Sequence, residues 1–189
     1  FAMSSQRFVL RLALACLTAG FSEAKYGGCT DGITCRTVRA SGLDFQCRFS
    51  ASSSGSSLPK PPVMMLHGFP EWSAMYMPLM RALAAEGFAS MACNQRGYSP
   101  GASPEGEGSY FYDNIVDDVF ELADAGFNTS AGSSGKFHLV AHDHGALVGW
   151  IATADPRGSS RILSYSSLSI PHPDAFSAGL FGAGGDIKQ

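Results

Sequence analysis

The strongest constraint in the sequence is a repeated alternation between short runs that are apolar at consecutive positions and stretches with helical spacing. Residues 63–66 (VMML), 88–93 (FASMAC) and 137–142 (FHLVAH) are runs of the first kind. A strand that is apolar on both sides needs cover on both, which is the situation inside a parallel sheet flanked by helices. After the first run, Pro78 suits an opening helical turn, Leu79, Ala82, Leu83 and Glu86 follow at helical spacing, and Gly87 closes the segment. Residues 113–125 place Ile115, Val119 and Leu122 on one face with acidic residues largely opposite, and Gly126 is the stop. A helix over 145–154, ended before Pro156, and a further strand over 162–170 continue the pattern. Upstream, residues 37–40 and 45–49 are β-compatible runs separated by Ser-Gly-Leu-Asp, which predicts an opening hairpin. The Ser- and Pro-rich tract 51–62 predicts a long loop between strands. The predicted class is α/β, a doubly wound and mostly parallel sheet preceded by an antiparallel hairpin.

Composition narrows the function classes. With 45% hydrophobic residues, 15% charged residues and a net charge of -3, the chain is not of the disordered type. It also lacks the basic excess of an electrostatic nucleic-acid binder. Residues 1–24 carry the order of a secretory signal: Arg7 and Arg11 precede or open the apolar run 12–21, and Ser22-Glu23-Ala24 supplies small residues for cleavage. That run has 10 residues, whereas a membrane-spanning helix needs about 20. The expectation is a secreted or lumenal protein starting at Lys25, with no membrane anchor after cleavage; an amphipathic N-terminal helix is the alternative. A Cys- and Gly-rich segment over 25–36 then leads into the core over 37–189.

Cys29, Cys35, Cys47 and Cys93 remain after such cleavage. Four cysteines allow three complete pairings, and Cys29 with Cys35 closes the shortest loop. None has the C-x2-C spacing of a zinc site. Asn128-Thr129-Ser130 is a glycosylation sequon, in keeping with export.

In open α/β sheets ligands bind beyond the carboxyl ends of the strands. Two polar clusters fall at such ends: His67-Gly68-Phe69-Pro70-Glu71, and Ala141-His142-Asp143-His144-Gly145. The second reads small-x-acid-x-small between a strand and a helix, the spacing of a nucleophile elbow with Asp in place of Ser. At the start of a helix, backbone N–H groups and the helix dipole favour the ionised carboxylate. The plainer readings are that Asp143 caps a helix or that His142, Asp143 and His144 bind a metal. The small flanking residues weigh against the first, and the lack of further clustered ligands weighs against the second. Glu71 and Trp72 are equally placed to line a pocket or to sit on the surface.

Five segments in order, HGFPEW (67–72), NQRGYSPG (94–101), YFYDNIVDDVFELADAGF (110–127), HLVAHDHGALVGW (138–150) and LSIPHPDAF (168–176), carry a resemblance. The chain resembles the α/β-hydrolase fold, in its epoxide-hydrolase-like branch with an aspartate nucleophile, over about residues 35–180. The resemblance implies that Asp143 is the nucleophile and that backbone N–H groups of Phe69 and His144 form the oxyanion hole. It puts His67, Gly68, Pro70, Glu71 and Trp72 at the substrate pocket, with a small-molecule epoxide as substrate and neither cofactor nor metal. The chemistry fits, because carboxylate attack on an epoxide carbon gives a stable alkyl ester that water can then hydrolyse.

The resemblance also implies a helical cap, two later strands, a catalytic acid and a catalytic His. None of His67, His138, His142, His144 and His172 matches that His, and the chain ends at Gln189. The expectation is therefore an incomplete and inactive part of such an enzyme, retaining the N-terminal portion of the fold. Alternatives are a non-catalytic binding protein or inert truncation on the same fold, or a dehalogenase-like enzyme. Against a haloalkane dehalogenase, His144 stands where those relatives carry Trp. Asn94 replaces the Asp often found before the RG pair.

Overall fold

The structure, a computed structural model, describes residue 29 and residues 32–53, 60–127 and 135–182. The predicted signal over 1–24 and the sequon residue Asn128 lie outside the described residues. Strands β1 (Ile33–Ala40) and β2 (Leu43–Ser50) form a hairpin. There follow β3 (Val63–Leu66), α1 (Met77–Ala85), β4 (Ser90–Cys93), α2 (Tyr112–Gly126), β5 (Phe137–His142), α3 (His144–Ala154), α4 (Gly158–Arg161), β6 (Ile162–Leu168) and α5 (Pro173–Phe181). Among the described residues, one six-stranded sheet runs in the order β1-β2-β4-β3-β5-β6. The pairs β1–β2 and β2–β4 are antiparallel, while β4–β3, β3–β5 and β5–β6 are parallel.

All four residues of β3 are buried, and their alternation divides them between two layers. Met64 and Leu66 join the core beneath α2 and α3 with Phe45, Met91, Leu139, Val119, Phe120 and Val148. Val63 and Met65 join Tyr76, Met80 and Ala92 beneath α1. Each such side chain contributes about 1.5–3 kcal/mol when fully removed from water, so the run 63–66 is stable only with helices on both faces.

Several boundaries differ from expectation. The hairpin is longer than predicted, because a two-residue turn at Ser41 and Gly42, with φ of 49° and 72°, lets pairing continue to the turn. Positive φ at both positions matches the strand twist. The strand predicted over 88–93 begins only at Ser90, since the Phe88 N–H is committed to the Leu83 carbonyl at the end of α1 (2.9 Å). The strand predicted over 162–170 stops at Leu168, where Ser169 turns to a φ of 73°. Helix α5 was not predicted; Pro173 opens it, and the His172 side chain accepts a hydrogen bond from the Asp174 N–H (3.2 Å). Disulfides join Cys29 with Cys35 and Cys47 with Cys93. No helix among the described residues is long and apolar enough to cross a membrane.

Candidate active site

Strand β5 delivers Asp143 to a sharp turn before α3. Its backbone has a φ of 51° and a ψ of -124°, its N–H donates to the Leu168 carbonyl (3.1 Å), and its own carbonyl accepts from the Ala146 N–H (2.8 Å). The small neighbours are needed for contact. A Cβ on Gly145 would lie 2.5 Å from the carbonyl oxygens of both Leu66 and His67, and one on Gly68 would collide with the Asp143 side chain. Ala141 is fully buried.

The Asp143 carboxylate faces the loop after β3. Its Oδ1 accepts from the Phe69 N–H at 2.9 Å. That bond is the main cause holding the carboxyl below the ordinary Asp pKa; burial opposes it, and the His144 N–H and the charges of His142 and His144 reinforce it. The Phe69 N–H thus holds Oδ1, and the His144 N–H acts on the same carboxylate. Among the described residues, no histidine hydrogen-bonds that carboxylate.

His67 is fully buried. Its Nε2 accepts from the Gln95 N–H (3.0 Å), which leaves the ring proton on Nδ1, facing the Gly68 carbonyl at 2.9 Å. Burial pushes its pKa down to about 4, so the ring is neutral at pH 7. The Gln95 amide also donates to the His67 carbonyl. His67 is thus a brace for the loop that carries Phe69. Gly68 is buried, whereas Phe69, Pro70 and Trp72 are exposed beside the turn and Glu71 is half-buried.

Two polar contacts around the site were not foreseen. Glu71 Oε2 accepts from His142 Nδ1 at 2.8 Å, tying the loop after β3 to the end of β5. Arg96 donates through Nε and a terminal nitrogen to both oxygens of Asp118, each at 2.7 Å, in a buried pair that fixes the 94–101 loop on α2. Asn94, the departure from the resemblance, is fully used: its Oδ1 accepts from the Ser73 N–H (2.9 Å) and Ser73 Oγ (2.6 Å). His144 is exposed on one side and faces Tyr112 on the other, whose ring stacks on it at 6.0 Å; desolvation lowers the His144 pKa, opposed by the Asp143 charge. Among the described residues, no group of three His, Cys, Asp or Glu is placed to hold a metal.

Comparisons with known proteins agree with this geometry. The family profile described as alpha/beta hydrolase fold matches residues 61–183. The chain is 28% identical over 144 residues to the AB hydrolase superfamily protein YfhM of Bacillus subtilis (strain 168), covering 76% of this chain and 46% of that protein. It is 31% identical over 140 residues to epoxide hydrolase 4 of Mus musculus, covering 74% of this chain and 35% of that protein. Among solved structures, the epoxide hydrolase VrEH1 from Vigna radiata superposes with a TM-score of 0.62 at 31% identity, over 80% of this chain and 47% of that one. The chain spans less than half the length of these relatives. The sheet, the elbow and the matched profile place the chain in the alpha/beta hydrolase fold family, among members similar to epoxide hydrolases.

Proposed function

We propose that Asp143 is the nucleophile of an epoxide-hydrolase-type reaction on a small-molecule epoxide. The observation that carries this reading is the Asp143 carboxylate itself, ionised on a positive-φ turn with Oδ1 held by the Phe69 N–H and supported by the His144 N–H. Holding Oδ1 leaves Oδ2 to attack. In the first step an Oδ2–carbon bond forms as the epoxide C–O bond breaks, and the released oxygen takes up a proton. In the second, water adds to the ester carbonyl carbon. The negative charge then develops on Oδ1, the atom the Phe69 N–H already holds, and a preorganised donor of this kind is worth about 10²–10³ in rate. Collapse frees the diol and restores the carboxylate.

The second step needs a general base, a contribution of roughly 10²–10⁴-fold. With no histidine hydrogen-bonded to Asp143 among the described residues, the ester is expected to outlast its formation in this chain. Exposure of the 189-residue chain to styrene oxide should then add one equivalent without sustained diol release, while p-nitrophenyl acetate leaves no lasting acyl group. Continuous diol production by the chain alone would contradict this account of the second step. Secretion belongs to the same proposal, supported by the signal-like order of residues 1–24 and by two disulfides, which persist in oxidising compartments. A mature terminus at Lys25, found by mass analysis of the secreted protein, is the expected outcome.

A further inference from the structure

The hairpin is attached to the parallel strands by the pairing of β2 with β4, which runs from Ser50↔Ser90 to Cys47↔Cys93. The last of these four pairs is the one nearest the loop 94–101, and it is a disulfide between directly facing residues, with Cα atoms 3.9 Å apart. Both cysteines are buried, at 2% and 3% exposure. A four-pair seam is short, and terminal pairs are where strand pairing opens first. A covalent link at that terminus removes the opening.

What lies immediately beyond the link is the support of the candidate site. The Asn94 N–H donates to the Gln46 carbonyl at 2.8 Å, continuing the seam by one residue. The next N–H, of Gln95, is the donor that fixes the His67 tautomer through Nε2 (3.0 Å). His67 Nδ1 in turn faces the Gly68 carbonyl (2.9 Å), and the following N–H, of Phe69, is the one on Asp143 (2.9 Å). Two residues of backbone thus separate the disulfide from the imidazole, and each later step is a hydrogen bond to a main-chain group. The Cys29–Cys35 disulfide has no such sequel: it ties the segment before β1 to an edge strand.

We propose that Cys47 and Cys93 are positioning residues for the Asp143 site, their cross-link holding the end of β4 so that Gln95 keeps His67 and the Phe69 N–H in place. This rests on the reading of Asp143 as nucleophile only where activity is measured; the placement of His67 is tested without it. Three variants of the full chain are compared with the parent: Cys47→Ser/Cys93→Ser; Cys47→Ala/Cys93→Val, which keeps the buried pair apolar; and Cys29→Ser/Cys35→Ser. Two quantities are followed, the ¹⁵N shifts of the His67 ring and the rate of styrene-oxide addition at Asp143.

In the parent, Nε2 is expected at an unprotonated position and Nδ1 at a protonated one. Both Cys47/Cys93 variants should move these shifts toward the average of the two tautomers and slow addition about tenfold or more, as misplacement of positioned groups does. The Cys29/Cys35 variant should match the parent in both. If the apolar pair restores parental His67 shifts, the cross-link serves packing alone and the inference falls. If the parent forms no adduct at Asp143, the proposed function falls, and the His67 shifts alone decide the inference.

Discussion

Asp143 and His67 meet opposite requirements with adjacent loops. Asp143 stays charged because N–H groups point at it, and His67 stays neutral because it is buried with an N–H donor on Nε2. A histidine whose pKa drops from 6.5 to about 4 on folding binds fewer protons folded than unfolded within that window. Its neutral burial is therefore fully compatible with folding above about pH 6.5 and loses stability as pH falls toward 4, by about 3 kcal/mol at most. Urea unfolding between pH 7 and pH 4 should show that loss in the parent and a shallower one in His67→Gln; equal slopes would contradict the assignment. Gly145 offers a second test. Gly145→Val drives a branched side chain against the Leu66 and His67 carbonyls, which cannot yield as a side chain tip would. A destabilisation of about 1–3 kcal/mol or more in the same unfolding experiment is expected, against a near-neutral change if the helix start is looser.

Among the elements, α2 carries the clearest energetic commitment outside the core. Its Asp118 is buried against Arg96, which also donates to the Ser109 carbonyl (3.2 Å) and thereby organises the loop beside Asn94 and Gln95. Asp118→Ala leaves a buried guanidinium without its partner and should cost about 3–5 kcal/mol, whereas Arg96→Met/Asp118→Leu should recover most of the loss. Equal stability of single and double variants in chemical denaturation would contradict this. Helix α2 also shows what was legible in the sequence. The spacing of Ile115, Val119 and Leu122 reports a face that packs locally, so its existence and direction could be read from residues three and four apart. The partner of Asp118 could not, because Arg96 reaches it only through the loop after β4. The same holds for Glu71 and His142, 71 residues apart, whose contact follows from β3 and β5 lying side by side. The turn at Asp143 was legible for the opposite reason: it imposes small residues at Ala141 and Gly145, within the same pentapeptide. Helix α5 was missed because its capping signal, a histidine side chain ahead of Pro173, is not one of the common cap residues.

Across the molecule, the two sheet edges differ. The hairpin strand β1 is long and paired along its whole length with β2, but β6 at the other edge leaves Leu163 and Leu168 nearly half exposed. Phe176 and Leu180 of α5 add to the same apolar surface content. An edge strand presents unpaired backbone groups as well as side chains, a combination that promotes association. Sedimentation velocity of the isolated chain should show concentration-dependent self-association, lessened by Leu163→Lys/Leu168→Lys; a monodisperse parent at all concentrations would contradict that reading.

The central claim is chemical and attaches to one atom set. After incubation with styrene oxide, proteolysis and peptide mass spectrometry should place a single added equivalent on the peptide containing Asp143, and Asp143→Asn should leave that peptide unmodified under the same conditions. An adduct mapped to another residue, or equal labelling of the Asp143→Asn chain, would contradict the assignment of Asp143 as the nucleophile.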